Sequence, residues 1–228
     1  MKKKIIIATI KSWNIENAER FKRKYHGAMI ITAPHELTAK IIQKFKPDYI
    51  FFPHWSWTIP QDIYEKYNCV IFHMGDLPFG RGGSPLQNLI VRGFKETKIS
   101  AVKAVKNIDG GPIYMKRKLS LTGTAQAIYE RASGIIFNYM IPRMIKATIL
   151  AQKQRGRAVI FRRRKPKEGN IERLSNINTI YDYIRMLDAE GYPPAFLIRR
   201  NFKLEFRRAK IKNDRILAQV EITIKNEK

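Results

Sequence analysis

The sequence predicts an α/β fold, a mostly parallel sheet with crossover helices followed by a small C-terminal α+β subdomain, and three observations lead there. Short apolar runs rich in β-branched and aromatic residues alternate with amphipathic stretches through the first hundred residues, the pattern of strand, helix, strand units with right-handed crossovers. These runs are brief and bounded by turn residues, which suits covered strands. After residue 150 the texture changes to a basic, weakly patterned stretch and then to a helix and two alternating runs.

Taken in order, residues 5–10, 28–32, 49–52 and 69–72 read as strands, and residues 15–25 and 37–45 carry apolar residues at helical spacing. Residues 84–93 read as a helix with Ser84 as N-cap and Pro85 at its first position. Residues 99–105 and 112–119 are expected as later strands, and 124–150 as a long closing helix that Pro142 bends. Residues 151–169 form a crossing segment. A helix over 177–187, a turn at GYPPA, and the runs FKLEFRRAKI and ILAQVEITI separated by KNDR then predict a helix and a β-hairpin. The expected division is a domain over 1–150 and a subdomain over 151–228, the latter too small to be comfortably stable alone.

Charge is the loudest global feature: 44 Lys and Arg against 19 Asp and Glu give a formal +25 over 228 residues. Such a balance draws anions, whether nucleic acid, acidic lipid or phosphorylated metabolites. RGRAVIFRRRKPK is the best local support for nucleic acid. The lysines are scattered through the chain, however, as on plain solvated surface, and nucleic acid is set aside as a partner. The single cysteine, Cys69, excludes an internal disulfide and suits a cytoplasmic protein. The opening MKKKIIIATIKSW has an apolar run too short for a signal peptide core or a membrane span, so no membrane insertion is expected.

The stretch CVIFHMGDLPFGRGGSPLQNLI puts His73 at the C-terminal edge of a strand, where open α/β sheets form ligand crevices. A histidine there is either a hydrogen-bonded structural residue or a proton carrier. KNIDGGPIY brings Asp109 into a turn between two later strands, so a carboxylate and an imidazole can meet at one sheet edge. The plainer reading of Asp109 is a turn-forming Asp-Gly. Lys11, Ser12, Trp13 and Asn14 follow the first strand at the same edge as candidate substrate contacts; alternatively Ser12 or Asn14 caps a helix and Trp13 is core. His54, Ser56 and Trp57 either lean into the crevice or pack as aromatics under a loop. Arg81, Gly82 and Gly83 lead into a helix N-terminus, with Arg81 either tying the loop or touching a ligand. No His/Cys cluster at metal-ligand spacing is present, so no metal is expected.

HMGDLPFGRGGSPLQNLI, followed by Asp109 in DGGPI, resembles the formyltransferases that use 10-formyltetrahydrofolate: the glycinamide ribonucleotide, methionyl-tRNA and sugar N-formyltransferases. IKSWNIENAERF, YIFFPHWSW, FRRRKPKEGNI and YDYIRMLDAEGYPPAF look like the sugar N-formyltransferases, most of all those of the pseudaminic acid pathway. The resemblance implies a Rossmann-like formyltransferase fold and transfer of a formyl group to the 4-amine of a UDP-linked diaminotrideoxyhexose, in cell-surface glycan biosynthesis. It implies His73 and Asp109 as catalytic residues and a nucleotide-linked sugar against Lys11, Ser12, Trp13, Asn14, His54 and Trp57. The folate would lie against Arg81, Gly82, Gly83, Leu86, Gln87, Asn88 and Leu89, its pterin held by main chain. A homodimer is compatible with it. The alternatives are a methionyl-tRNA formyltransferase, a formyltetrahydrofolate hydrolase or a non-catalytic folate-binding protein. Two positions depart from the pattern. Ile71 stands where the family usually has an asparagine that donates to the formyl oxygen, and Asp76 stands where an apolar residue is usual.

Overall fold

The computed structural model describes residues 3–224. Along the chain run β1 (Ile5–Ala8), α1 (Ser12–Lys24), β2 (Ala28–Ile31), α2 (Ala39–Phe45), β3 (Tyr49–Pro53), α3 (Gln61–Lys66), β4 (Cys69–Met74), β5 (Phe79–Gly82) and α4 (Pro85–Ile90). There follow β6 (Glu96–Lys103), β7 (Ile113–Ser120), α5 (Ala125–Ile135), α6 (Ile141–Lys146), β8 (Val159–Phe161), α7 (Ile177–Leu187), β9 (Ala195–Arg199), β10 (Phe202–Lys212) and β11 (Arg215–Ile224). The chain divides into two compact units: Met1–Gly82, Thr97–Leu119 and Tyr129–Ile160 form one, and Gly83–Glu96, Ser120–Ile128 and Phe161–Lys228 the other.

The first unit is built on the order β2-β1-β3-β4-β6-β7, with β1, β2, β3 and β4 parallel and β6 antiparallel to β4. β1 is buried along its whole length because Ile5, Ile6 and Ile7 meet apolar matter on both faces, the normal state of an inner parallel strand. On one face Ile6, Ile42, Ile50, Phe52, Ile63 and Cys69 form a continuous cluster, and Ile71 packs partly buried against it. α1 starts without a side-chain cap: Lys11 holds the N-cap position in extended conformation, and neither Ser12 nor Asn14 caps the helix. Thr38 does cap α2, its hydroxyl accepting from the Ile41 amide. The expected helix over 124–150 is shorter and interrupted. Five residues, Ile136–Met140, are π-helical just before Pro142, and the helix ends at Lys146. A proline lacks the N–H that would continue the ladder, so the irregularity at its N-terminal side has a local cause.

In the second unit, α4 is shorter than expected. Ser84 occupies its N-cap at φ 48°, yet its hydroxyl accepts from the Arg164 amide instead of capping the helix. α7 matches the sequence expectation; the Asn176 side chain caps it by accepting from the amides of Asn178 and Thr179. Buried Arg185 donates to Asp182 and to the carbonyls of Leu121 and Gly123, so a charge inside this unit is paired rather than stranded. The expected hairpin is β10 and β11, antiparallel, with β9 as a third strand on the other side of β10. Among the described residues, no helix is long and apolar enough to cross a membrane.

Candidate active site

Because β4 runs two residues further than its apolar run, His73 lies inside the strand, opposite Ser100 of β6 in register. Its imidazole is 6% exposed and Asp109 is 8% exposed, and Nδ1 lies 3.3 Å from Asp109 Oδ2. The other ring nitrogen, Nε2, lies 2.7 Å from the carbonyl oxygen of Gly80. A carbonyl only accepts, so Nε2 carries a proton and donates it. Nδ1 faces the carboxylate, so the imidazole and the Asp109 carboxyl stand close enough to pass a proton between them. Asp109 Oδ2 also accepts from the Gly82 amide at 2.9 Å, which fixes the carboxylate from the loop side.

The backbone is shaped to permit this. A Cβ at Gly75 would stand 2.9 Å from the His73 ring, and one at Gly111 only 1.9 Å from the Lys103 carbonyl oxygen, so both positions need the missing side chain. Ser100, fully buried, donates from its hydroxyl to the Gly75 carbonyl at 2.7 Å and pins the loop that follows His73. Asp109 itself is held at φ 51° in its turn.

Gln154, which no sequence signal singles out, ties the aspartate turn to the Arg81 loop. Its Nε2 donates to the carbonyls of Asp109 and Gly111, each at 2.7 Å. Its Oε1 accepts from Arg81 Nε and Nη2 at 3.1 and 2.8 Å. Arg81 thus spends its planar fork on a neighbouring side chain and locks the GRGG loop to the aspartate turn. Asp76 has a comparable task, pairing with Lys98 at 2.9 Å and with Lys116. Burial pushes its carboxyl upward, but the hydrogen bonds from Lys116 and Lys98 outweigh that and hold it below the usual carboxylate range.

The remaining candidates fall elsewhere in the same unit or in the other. His54 follows β3 at φ 57°, its ring edge-on to Tyr129 at 5.1 Å and Trp13 at 5.8 Å, and burial with the Lys11 charge lowers its pKa to about 4. Trp13 is core, stacked on Tyr129 at 5.4 Å. Asn14 is buried and donates to the Pro53 carbonyl, while Lys11 lies over the Trp13 ring. Ser12 is half-buried in the first turn of α1, and Trp57 is 46% exposed, edge-on to Trp55. Gly83, Leu86, Gln87, Asn88 and Leu89 belong to the second unit. There Leu86 and Leu89 are buried, Gln87 donates to the Met186 carbonyl, and Asn88 donates to the carbonyls of Gly83 and Arg162. Among the described residues, no group of three or more His, Cys, Asp or Glu stands close enough together to hold a metal ion.

Residues 166–223 match the family model described as "Methionyl-tRNA formyltransferase, C-terminal domain". The solved methionyl-tRNA formyltransferase from Clostridium thermocellum is 54% identical, superposes with a TM-score of 0.96, and the match covers 97% of this chain and 99% of that chain. The methionyl-tRNA formyltransferase of Francisella philomiragia is 26% identical over 80% of this chain and 61% of its own length. HypX from Aquifex aeolicus, solved in complex with tetrahydrofolic acid, shares the fold at 15% identity and a TM-score of 0.75, over 92% of this chain and 38% of that one. The chain covers 27% to 63% of the length of such curated relatives.

A parallel sheet delivering a histidine to the aspartate of a neighbouring turn, with these neighbours, defines the formyltransferase fold class. Within it, the chain belongs to the methionyl-tRNA formyltransferase family. This corrects the expectation of a pseudaminic-acid-pathway sugar formyltransferase, and with it the nucleotide-linked sugar partner and the setting aside of nucleic acid. Sugar N-formyltransferase structures share only the fold, at 14% to 15% identity. The family-model match lies in the C-terminal segment, outside the histidine loop and the aspartate turn.

Proposed function

We propose that the chain transfers the formyl group of 10-formyltetrahydrofolate to the amine of methionyl-tRNA. The observation that carries the reading is the buried His73–Asp109 contact, in a chain 54% identical over nearly its whole length to a protein named for that acceptor. In the reaction the amine nitrogen bonds to the formyl carbon, the carbon–nitrogen bond to the folate breaks, and one proton passes from the attacking to the departing nitrogen. The pair is suited to that task, since its two groups stand close enough to pass a proton between them. The Nε2 proton now given to the Gly80 carbonyl is of the kind a formyl oxygen accepts, so an acyl group can take that carbonyl's place and receive the hydrogen bond as charge builds on oxygen. The donor fits the chemistry of these side chains, and no metal is called on.

The test is incubation of the purified chain with 10-formyltetrahydrofolate and methionyl-tRNA, followed by deacylation and detection of N-formylmethionine. Formylmethionine above the enzyme-free control is the expected result. Release of formate with no acylated product would replace this reading by hydrolysis, and neither product would overturn it.

A further inference from the structure

The first unit carries a second feature that the pair does not use. A cavity of about 920 Å³ opens between β6, β7 and the α5 region, and five cations line it: Lys98, Lys116, Arg117, Lys118 and Arg131. Its volume lies within the range of ligand pockets, about 300–1,000 Å³. Asp76 pairs with two of them, Lys98 and Lys116. Like charges gathered around a concave surface repel one another and focus a positive potential that an anion relieves.

Three further details shape this site for a ligand. Arg117 lies with its guanidinium 3.6 Å from the centroid of the Tyr139 ring, which holds its plane in place, and its Nε is buried without a hydrogen-bond partner. Gly134 stands in the last turn of α5, and a Cβ there would meet nothing nearer than Asn138 Nδ2 at 3.9 Å. Glycine is disfavoured within helices, and no close packing demands it here; it keeps the cavity wall low. Asn138 and Tyr139 sit on the π-helical turn, an irregularity that often marks functional surfaces.

We propose that this cavity is an anion site that takes backbone phosphates of an RNA acceptor. The identity of the phosphate donor as RNA rests on the methionyl-tRNA reading; the anion site rests on the cations themselves. Asp76 lies three residues beyond His73 and is held by two of the lining lysines, so the cavity wall and the catalytic loop share an anchor.

Binding of fluorescein-labelled tRNA and of a single-stranded RNA dodecamer, titrated with KCl, tests it on the full chain. Arg117→Ala combined with Lys118→Ala should weaken binding of both RNAs tenfold or more, and should lower the slope of log affinity against log salt by about 0.7–0.9 for each phosphate that is no longer neutralised. Gly134→Leu fills the cavity without removing a charge and should also weaken binding, so the test survives if the double variant fails to fold. Wild-type affinity and salt slope in the folded variants overturn the proposal. Displacement of RNA by UMP or inorganic pyrophosphate at concentrations matching the RNA's own affinity would assign the site to a small phosphate ligand and sink the RNA assignment. Formylmethionine made by wild type, with variants unchanged in RNA binding, removes this site and leaves the proposed activity standing. Cavity-dependent RNA binding without any formylmethionine keeps the site and removes the activity.

Discussion

Two histidines lie near the C-terminal ends of neighbouring parallel strands, His54 just after β3 and His73 one residue before the end of β4, and their surroundings differ. Pro53 pairs with Phe72, so His54 and His73 follow one another at the same edge of the sheet. His73 meets a carbonyl on one ring nitrogen and a carboxylate on the other. His54 meets the edges and faces of Trp13 and Tyr129 and loses basicity to burial. Residue type and position at a sheet edge therefore do not define a role. Their partners differ: His73 has polar groups at both ring nitrogens, and His54 packs edge-on to two aromatic rings.

The sharpest way to break the comparison is to remove the polar side of it. His73→Ala and Asp109→Asn should each lower formyl transfer at least a hundredfold with the fold intact by circular dichroism, the size of a lost acid–base contribution. His54→Phe should leave turnover per folded molecule within a few-fold of wild type. A hundredfold loss in the His54 variant with His73→Ala near normal would reverse the assignment.

Acid sharpens it next. His54 stays neutral in the folded protein down to a pKa of about 4, against an ordinary value of 6.5. Between those values the unfolded chain binds a proton that the folded chain does not, so stability is whole above pH 6.5 and falls as pH drops toward 4. The loss from this residue alone is about 2 kcal/mol by pH 5. Urea unfolding at pH 7 and pH 5 should show that loss in wild type and a smaller one in His54→Phe; equal acid losses in both would mean that His54 is not the titrating group.

A smaller effect is expected at Gln154. Removing its amide frees the Asp109 turn from the Arg81 loop without touching the His73 imidazole or the Asp109 carboxylate, and Gln154→Ala should lower kcat about tenfold, or about 1.4 kcal/mol, with little change in KM for the folate. Arg81→Ala should cost little more once Gln154 is gone, because both act through one tie. Additive losses in the double variant would show that Arg81 works elsewhere, on a ligand.

What the sequence made legible follows the same division. The inner strands announced themselves because Ile5, Ile6 and Ile7, or Phe51 and Phe52, are apolar on both faces, and α7 because its cap and its apolar spacing agree. His73 drew notice because it closes an apolar run, and Asp109 because it precedes two glycines in a turn; the structure brings the two side chains together. Gln154 was not, since a glutamine in a basic, patternless stretch acquires meaning only through a partner 45 residues away. β5 and β9 were hidden by local chemistry: FGRG is half glycine, and Ala195–Arg199 is a five-residue run directly behind two prolines. The family is misread from the sequence because the tail reads as that of a sugar enzyme, whereas residues 166–223 match the methionyl-tRNA formyltransferase C-terminal domain model.

Ile71 is the last point at which the two strand ends can be compared, and the smallest effect is expected there. The related enzymes usually carry an asparagine at this position, two residues before the histidine, so restoring it should matter if this site merely lost a donor. Ile71, however, pairs with Phe52 and Val102 across the sheet and packs against the apolar cluster of Ile50, Phe52, Ile63 and Cys69. An amide introduced there packs, on its buried side, against that apolar cluster. Ile71→Asn should therefore cost on the order of 1 kcal/mol of stability by poorly satisfied burial and leave kcat within about twofold, too small a change in transition-state energy to signal a new interaction. Chemical denaturation and steady-state formyl transfer on the same preparation measure both. A rise in kcat of tenfold or more would show that the asparagine reaches the reacting oxygen, and His73 would then no longer be the only side chain to which that hydrogen bond can be assigned.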